Sequence, residues 1–125
     1  MLPLNPDESA MRIKDQIKEK TGVDVGIIIT DSIGRAWRLG TIGHAIGSAG
    51  VKTLMDLRFK AKDLFERELQ VTCIAWADQL AAAASLVMGE TNEATPVVLI
   101  QGLDVDSTED SIQDLIRPKK EDLFR

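Results

Sequence analysis

The chain has 125 residues, 44% of them apolar and 4% aromatic, and its formal net charge is −5. This length fits one domain spanning residues 1–125 that can bury a core. The negative charge argues against a general nucleic-acid or anionic-membrane surface, so an anionic ligand would need a local basic patch or a bound cation. A lone Cys73 excludes an internal disulfide, and no secretory signal pattern is present. A cytoplasmic location is therefore expected.

The N-terminal pattern predicts a helix between Asn5 and Gly22. Asn5 can cap it, Pro6 suits its first position, and Glu8 occupies the place of a capping-box partner. Gly22 is a typical stop.

Apart from Asp24 and Gly26, residues 23–30 are β-branched and mostly apolar at both odd and even positions, which predicts a central strand covered on both faces. The strand would deliver Asp31, Ser32, Arg35 and Arg38 into one short turn. A carboxylate beside a hydroxyl suits a hard cation, and guanidinium groups suit phosphate or carboxylate. The alternative is an ordinary Asp-Ser turn bonded to its own backbone.

A glycine-rich passage follows at residues 34–50. Its spacing matches neither a phosphate loop nor a dinucleotide fingerprint. The small residues more simply permit close backbone approach, in a second strand over residues 44–49. Residues 51–65 are expected to contain a short helix.

Residues 69–88 predict a long helix, apolar nearly all round, that ends at Gly89. Asp78 and Gln79 within it favour a buried helix over a membrane span. Residues 97–100 predict a further apolar strand, residues 102–110 an acidic loop, and residues 112–116 one helical turn.

Together these elements predict an α+β fold in which a small mixed β-sheet packs with a long apolar helix. So much apolar surface on a small chain predicts completion by a partner, either a second copy or a missing segment.

Three oxygen-bearing side chains could form a metal site. If they converge, Asp31, Ser32 and Glu90 offer the ligands that Mg²⁺ or Mn²⁺ prefers. The simpler interpretation of Glu90 is a solvated residue after a helix cap. His44 has no neighbouring ligand that would favour zinc, and Cys73 is most simply a core residue.

Five collinear stretches resemble the C-terminal half of the coenzyme F420 gamma-glutamyl ligases. They are residues 31–38, 45–50, 77–80 through 86–90, 96–100 and 115–125. The resemblance covers nearly the whole chain.

The resemblance implies GTP-dependent ligation of L-glutamate to the coenzyme F420 precursor through an acyl phosphate, supported by Mg²⁺ or Mn²⁺. Carried over by position, Asp31 would ligate one metal, and Ser32 and Glu90 a second. Arg35 and Arg38 would hold anionic substrate. The nucleotide would be lined by Met88, Gly89, Glu90, Thr91, Asn92, Glu93, Ala94 and Thr95.

The chain also departs from the family pattern. Phe59 and Glu66 stand where glycines are expected, Ala36 replaces a proline, and Leu39 replaces a common acidic residue. The family's N-terminal half carries further nucleotide contacts and another metal-binding aspartate. The expected partners are therefore a second copy, as a homodimer, or a separate N-terminal half. The alternatives are a non-catalytic binding or oligomerisation module and a ligase for a different acid.

Overall fold

The computed structural model describes residues 2–103 and 108–122. In chain order the elements are helix α1 (Pro6–Thr21), strands β1 (Ile27–Gly34), β2 (Thr41–Ala49), β3 (Leu54–Asp56) and β4 (Cys73–Ala75), helix α2 (Trp76–Met88), and two 3₁₀ helices, Ile112–Leu115 and Lys119–Glu121. The architecture is α+β, as predicted. Residues 104–107 of the predicted acidic loop, and residues 123–125 of the last matching stretch, lie outside the described residues.

Helix α1 begins and ends where its caps predict. The Asn5 side chain accepts a hydrogen bond from the Glu8 backbone N–H at 3.3 Å, and Pro6 is the first helical residue. At the other end Gly22 has φ +73° and donates to the Lys18 carbonyl at 2.8 Å. These local signals fix both bounds.

The expected mixed sheet is wrong, because the described strands form two separate antiparallel pairs. β1 pairs with β2 from Ile27–Ala49 to Gly34–Thr41, and β3 pairs with β4. Strand β1 therefore continues four residues beyond the predicted end at Thr30. It is also half-buried at residues 27–31 rather than covered on both faces.

Both helices pack on β2 at glycines. A Cβ on Gly43 would lie 2.7 Å from the Ala81 carbonyl oxygen of α2, and one on Gly47 would lie 2.5 Å from Pro6 of α1. The predicted role of the small residues, close backbone approach, is confirmed.

The prediction of a long apolar helix over residues 69–88 is wrong in its extent. Helix α2 begins at Trp76, because residues 73–75 pair with β3 instead. Apolar runs do not distinguish strand from helix, and β-branched residues such as Val71, Thr72 and Ile74 favour extended backbone.

Two further predicted elements are absent from the described structure. Residues 51–65 contain β3 and turns rather than a helix, and residues 97–100 belong to no strand. A strand needs a hydrogen-bonded neighbour, and the described part of the chain offers residues 97–100 none. The predicted turn at residues 112–116 is confirmed as the first 3₁₀ helix.

The core is built from small residues. Its main cluster contains Ala45, Ala77, Ala81 and Ile112, with Ile28 and Leu115 packed against it. The largest fully buried side chain is Thr53. Among the described helices, none is long and apolar enough to cross a membrane.

Candidate functional site

Asp31 and Ser32 lie inside β1 rather than in a turn after it. Asp31 is paired with His44 and Ser32 with Gly43 across the hairpin, and the reversal occurs at residues 35–40. The expectation of an Asp-Ser turn is therefore wrong, since pairing with β2 supplies the backbone partners that a turn would otherwise provide. Asp31 is half-buried and Ser32 is exposed.

A β-bulge lies directly beside Asp31. Ile29 pairs with Gly47 and Thr30 with Ala45, so Ile46 of β2 has no opposite residue. Such a bulge re-aims the side chains that follow it. The His44 ring Nδ1 then donates to the Asp31 carbonyl oxygen at 3.0 Å, which fixes the backbone carrying the carboxylate.

The end of α2 contacts the same part of β1. The Thr30 hydroxyl donates to the Met88 sulfur at 3.9 Å in a partly buried contact. Met88 is followed directly by Gly89 and Glu90, while Thr30 precedes Asp31. The contact thus brings the segment that carries Glu90 to the face of β1 on which Thr30 and, two residues further on, Ser32 lie, whereas Asp31 points to the opposite face.

The loop after α2 is held by the Glu93 carboxylate. It accepts hydrogen bonds from the Thr91 backbone N–H at 2.8 Å and from the Thr91 hydroxyl at 3.1 Å. The bond from the Thr91 amide is the main cause that lowers the pKa of Glu93 below its ordinary value. Gly89 has φ +73°, and a side chain there would collide with Glu93. Glycine therefore lets the carboxylate fold back over the helix end.

These residues enclose an open groove of about 510 Å³. Its lining is Met88, Gly89, Glu90, Thr91, Glu93, Ala94, Thr95 and Pro96. With Asn92 in the same loop, the groove coincides with the segment predicted to line the nucleotide. Its charged lining is two carboxylates and no basic group, so a nucleotide phosphate would meet repulsion there unless a cation lay between them.

The described residues supply only part of a metal-ligand set. No three His, Cys, Asp or Glu side chains in residues 2–103 and 108–122 are grouped to hold an ion. Asp31 and Ser32 are neighbours on a strand and point to opposite faces, so they suit two different ions rather than one. The donor set fits a hard divalent cation in chemistry, and further oxygens must come from elsewhere.

The two arginines stand apart from the groove. Arg35 and Arg38 lie exposed in the β1–β2 turn, and Arg35 donates to the Gly40 carbonyl at 3.4 Å. Strand geometry puts Asp31 and Gly34 about 10 Å apart along β1. The role of Arg35 and Arg38 in binding the anionic substrate stays a prediction.

Two positioning contacts could not be read from the sequence. The Asp78 carboxylate of α2 accepts from the Ala45 backbone N–H at 3.0 Å, and Thr30 binds Met88 as described. In the sequence, Asp78 indicated only that the helix does not span a membrane. Nothing in the sequence predicted that Asp78 would bond to Ala45 or Thr30 to Met88. Such contacts link residues 33 and 58 positions apart.

Comparison with known protein families gives a match over most of the chain. The family described as F420-0:Gamma-glutamyl ligase matches residues 1–102. Among curated proteins, the Coenzyme F420:L-glutamate ligase of Methanocaldococcus jannaschii is 52% identical over 125 residues, which is all of this chain and 50% of that protein. The proteins of the same name from Methanococcus maripaludis (strain C7) and Archaeoglobus fulgidus are 51% and 46% identical, over 99% and 98% of the chain and 50% and 49% of theirs.

The chain therefore belongs to the F420-0:gamma-glutamyl ligase family. It spans about half the length of the curated relatives it matches.

Proposed function

We propose that this chain forms the metal- and nucleotide-binding portion of a GTP-dependent ligase that joins L-glutamate to the coenzyme F420 precursor. The activity would require a polypeptide equivalent to the rest of the relatives' length. The supporting observation is the Thr30–Met88 contact, which brings the loop containing Glu90 beside the face of β1 that carries Ser32.

The proposed residue roles are those that the family resemblance implies, and the chemistry of the side chains agrees with them. Asp31 would ligate one divalent ion, and Ser32 and Glu90 a second. A bound Mg²⁺ or Mn²⁺ would neutralise phosphate charge, which an acidic groove otherwise repels. The loop at residues 88–95 would line the nucleotide.

The proposed reaction has two steps. The substrate carboxylate attacks the γ-phosphorus of GTP, the bond to the bridging oxygen breaks, and GDP leaves. The α-amine of glutamate then attacks the acyl phosphate, phosphate leaves, and the amine loses a proton. Arg35 and Arg38 would hold the anionic acid substrate, since guanidinium groups bind carboxylates in a bidentate manner.

Calorimetric titration of the purified chain with GTP and Mn²⁺ tests the binding part of this proposal. Asp31→Ala and Glu90→Ala should each weaken the metal-dependent signal at least about tenfold, a loss expected when one charged ligand is removed. Glu68→Ala, which removes an exposed carboxylate outside the groove, is the matched control. Absence of GTP binding, even together with the other half expressed separately, would reject the proposal.

A second candidate is a non-catalytic binding module derived from the same fold. It is favoured by the lack of a three-ligand cluster among the described residues. Ligation of glutamate measured on the reconstituted halves separates the two. If activity or biological function survives both alanine substitutions, metal chemistry is not the purpose of the chain.

A further inference from the structure

The turn between β1 and β2 is closed and holds one strained residue. Gly34 pairs with Thr41 at the base of the turn. The Arg35 guanidinium donates across it to the Gly40 carbonyl at 3.4 Å. Trp37 lies between them with φ +58°, a region that a bulky side chain rarely adopts. Strained residues of this kind cluster at ligand-binding positions, so the conformation of Trp37 points to a contact with a ligand.

The turn is also a basic part of an acidic chain. Between Asp31 and Asp56 the sequence contains no aspartate or glutamate, although the net charge of the whole chain is −5. Arg35 and Arg38 stand on either side of Trp37 and are exposed. Within residues 2–103 and 108–122 neither arginine forms an ion pair. The turn therefore supplies the local basic patch that an anionic ligand of this chain requires.

Trp37 offers an aromatic surface within this basic patch. It is 88% exposed, whereas a tryptophan that stabilises a fold is normally largely buried. An exposed indole stacks on planar ring systems, and guanidinium groups bind phosphate or carboxylate. A tryptophan between two arginines therefore fits a planar aromatic ring that carries an anionic group.

The turn lies beyond the strand residues that are proposed to bind metal. Asp31 and Gly34 are about 10 Å apart along β1, and Trp37 follows three residues later. A ligand whose reacting carboxylate lies beside the metal-binding strand residues must therefore be extended in order to contact Trp37. Its ring and its reacting carboxylate would be at opposite ends of the molecule.

We propose that the β1–β2 turn binds the aromatic end of the acid substrate, with Trp37 stacked on its ring and Arg35 and Arg38 on an anionic group beside that ring. The turn thus selects an acid that carries a planar aromatic system over simple aliphatic acids. This inference rests on the proposed function, because it names the class of acid that the ligase activates. Binding at the turn needs neither GTP nor metal, so it is tested separately from ligation.

Flavin mononucleotide, a planar ring system that carries a phosphate, is the probe, and its fluorescence anisotropy in EDTA measures its binding to the full chain. Trp37→Leu should weaken this binding at least about tenfold because it removes the stacking surface, and Trp37→Phe should retain most of the affinity. Leu64→Ser changes a residue that is 93% exposed and lies outside the turn, and it should leave the affinity unchanged. Circular dichroism verifies that the variants remain folded.

Two related compounds separate the ring from the charge. Riboflavin has the ring without the phosphate, and ribose 5-phosphate has the phosphate without the ring. The double variant Arg35→Gln/Arg38→Gln should weaken flavin mononucleotide at least about tenfold and leave riboflavin unchanged, because only the former carries an anion. Ribose 5-phosphate should compete poorly with flavin mononucleotide, because it cannot stack on Trp37.

Saturating GTP with Mn²⁺ should leave flavin mononucleotide bound, because the proposed nucleotide groove belongs to the loop after α2. Absence of flavin mononucleotide binding, equal binding by Trp37→Leu, or displacement of the probe by GTP would each overturn the inference. Tighter binding of an oligothymidine through Trp37 would also overturn it, because the turn would then be a nucleic-acid surface. None of these results alters the calorimetric test of GTP and Mn²⁺ binding, so the inference and the proposed function can fail independently.

Discussion

Phe59 occupies a backbone conformation that favours glycine. Its φ is +57°, and that of Glu66 is +62°. These are the two positions where the family pattern predicts glycine, so the resemblance located backbone features that composition could not. A left-handed conformation costs a non-glycine residue about 1–2 kcal/mol.

Phe59→Gly should therefore be more stable than Phe59→Ala by about 1 kcal/mol, since both remove an exposed ring and only glycine relieves the strain. Urea denaturation measures the difference. Ala83→Gly, at an exposed position of α2, is the control and should destabilise by about 1 kcal/mol. If Phe59→Ala equals or exceeds Phe59→Gly in stability, the left-handed conformation is not present in solution.

Asp24 pairs with two lysines of α1. Lys14 and Lys18 both donate to its carboxylate, the latter at 2.9 Å, and these bonds lower the pKa of Asp24 from 3.8 to about 2. A carboxylate with a lowered folded-state pKa stabilises the fold above pH 3.8, and this contribution disappears as the pH falls through about 2.

Asp24→Asn should consequently lower the stability at neutral pH and leave it unchanged well below pH 2. Stability measured across this range checks the prediction, and high salt should shrink the difference because the pair is exposed. The control is Glu19→Gln, which removes one negative charge from α1, the helix that carries Lys14 and Lys18. A difference between wild type and Asp24→Asn that persists below pH 2 would assign the effect to something other than ionisation.

Helix α2 depends on Gly43 for its position over β2. An added Cβ would meet the backbone oxygen of Ala81 at 2.7 Å and Ser85 Cβ at 2.8 Å, and backbone cannot yield as a flexible side chain does. Gly43→Ala should destabilise by about 1–3 kcal/mol, the cost of overpacking. Thermal or urea unfolding gives this value.

The control for Gly43→Ala is Gly34→Ala, because a Cβ at Gly34 would meet open space. Gly34→Ala should be close to neutral. Since α2 carries Met88 into the groove, Gly43→Ala should also weaken GTP binding where Gly34→Ala does not. Equal stability of the two variants would mean that α2 does not cross β2 at Gly43.

The elements that the sequence predicted well have local causes. The bounds of α1 come from Asn5 and Gly22, whose capping effects act within one turn. The start of α2 was misplaced because residues 73–75 are extended through contact with Leu54–Asp56, about twenty positions earlier. Likewise residues 97–100 have strand composition, but pairing decides whether a strand forms.

The candidate site shows the same division. The groove segment was located through the family resemblance, whereas Thr30–Met88 and Asp78–Ala45 are tertiary contacts without a sequence signature. The continuation of β1 through Asp31 and Ser32 depends on the register with β2. Residue types thus predict a chemistry for the candidate site, which stays a prediction, while packing determines where its side chains lie.

The charge of the whole molecule leads to a prediction about ligand linkage. The net charge is −5, and the charged residues that line the groove are Glu90 and Glu93, so GTP alone should bind poorly. If the divalent ion lies between phosphate and carboxylate, Mn²⁺ should raise the affinity for GTP at least about tenfold. Linkage then requires GTP to raise the affinity for Mn²⁺ by the same factor.

Calorimetric titrations in both orders, with EDTA as the metal-free reference, measure the two factors. Glu90→Gln should reduce the two factors equally, because it removes a charged metal ligand and the two factors measure the same coupling between Mn²⁺ and GTP. Glu68→Gln should change neither factor. Potassium chloride separates charge screening from metal ligation, because it screens long-range repulsion but cannot ligate phosphate as Mn²⁺ does. Raising it should therefore not replace Mn²⁺, and GTP binding of equal strength in EDTA would show that the groove does not use a bridging metal.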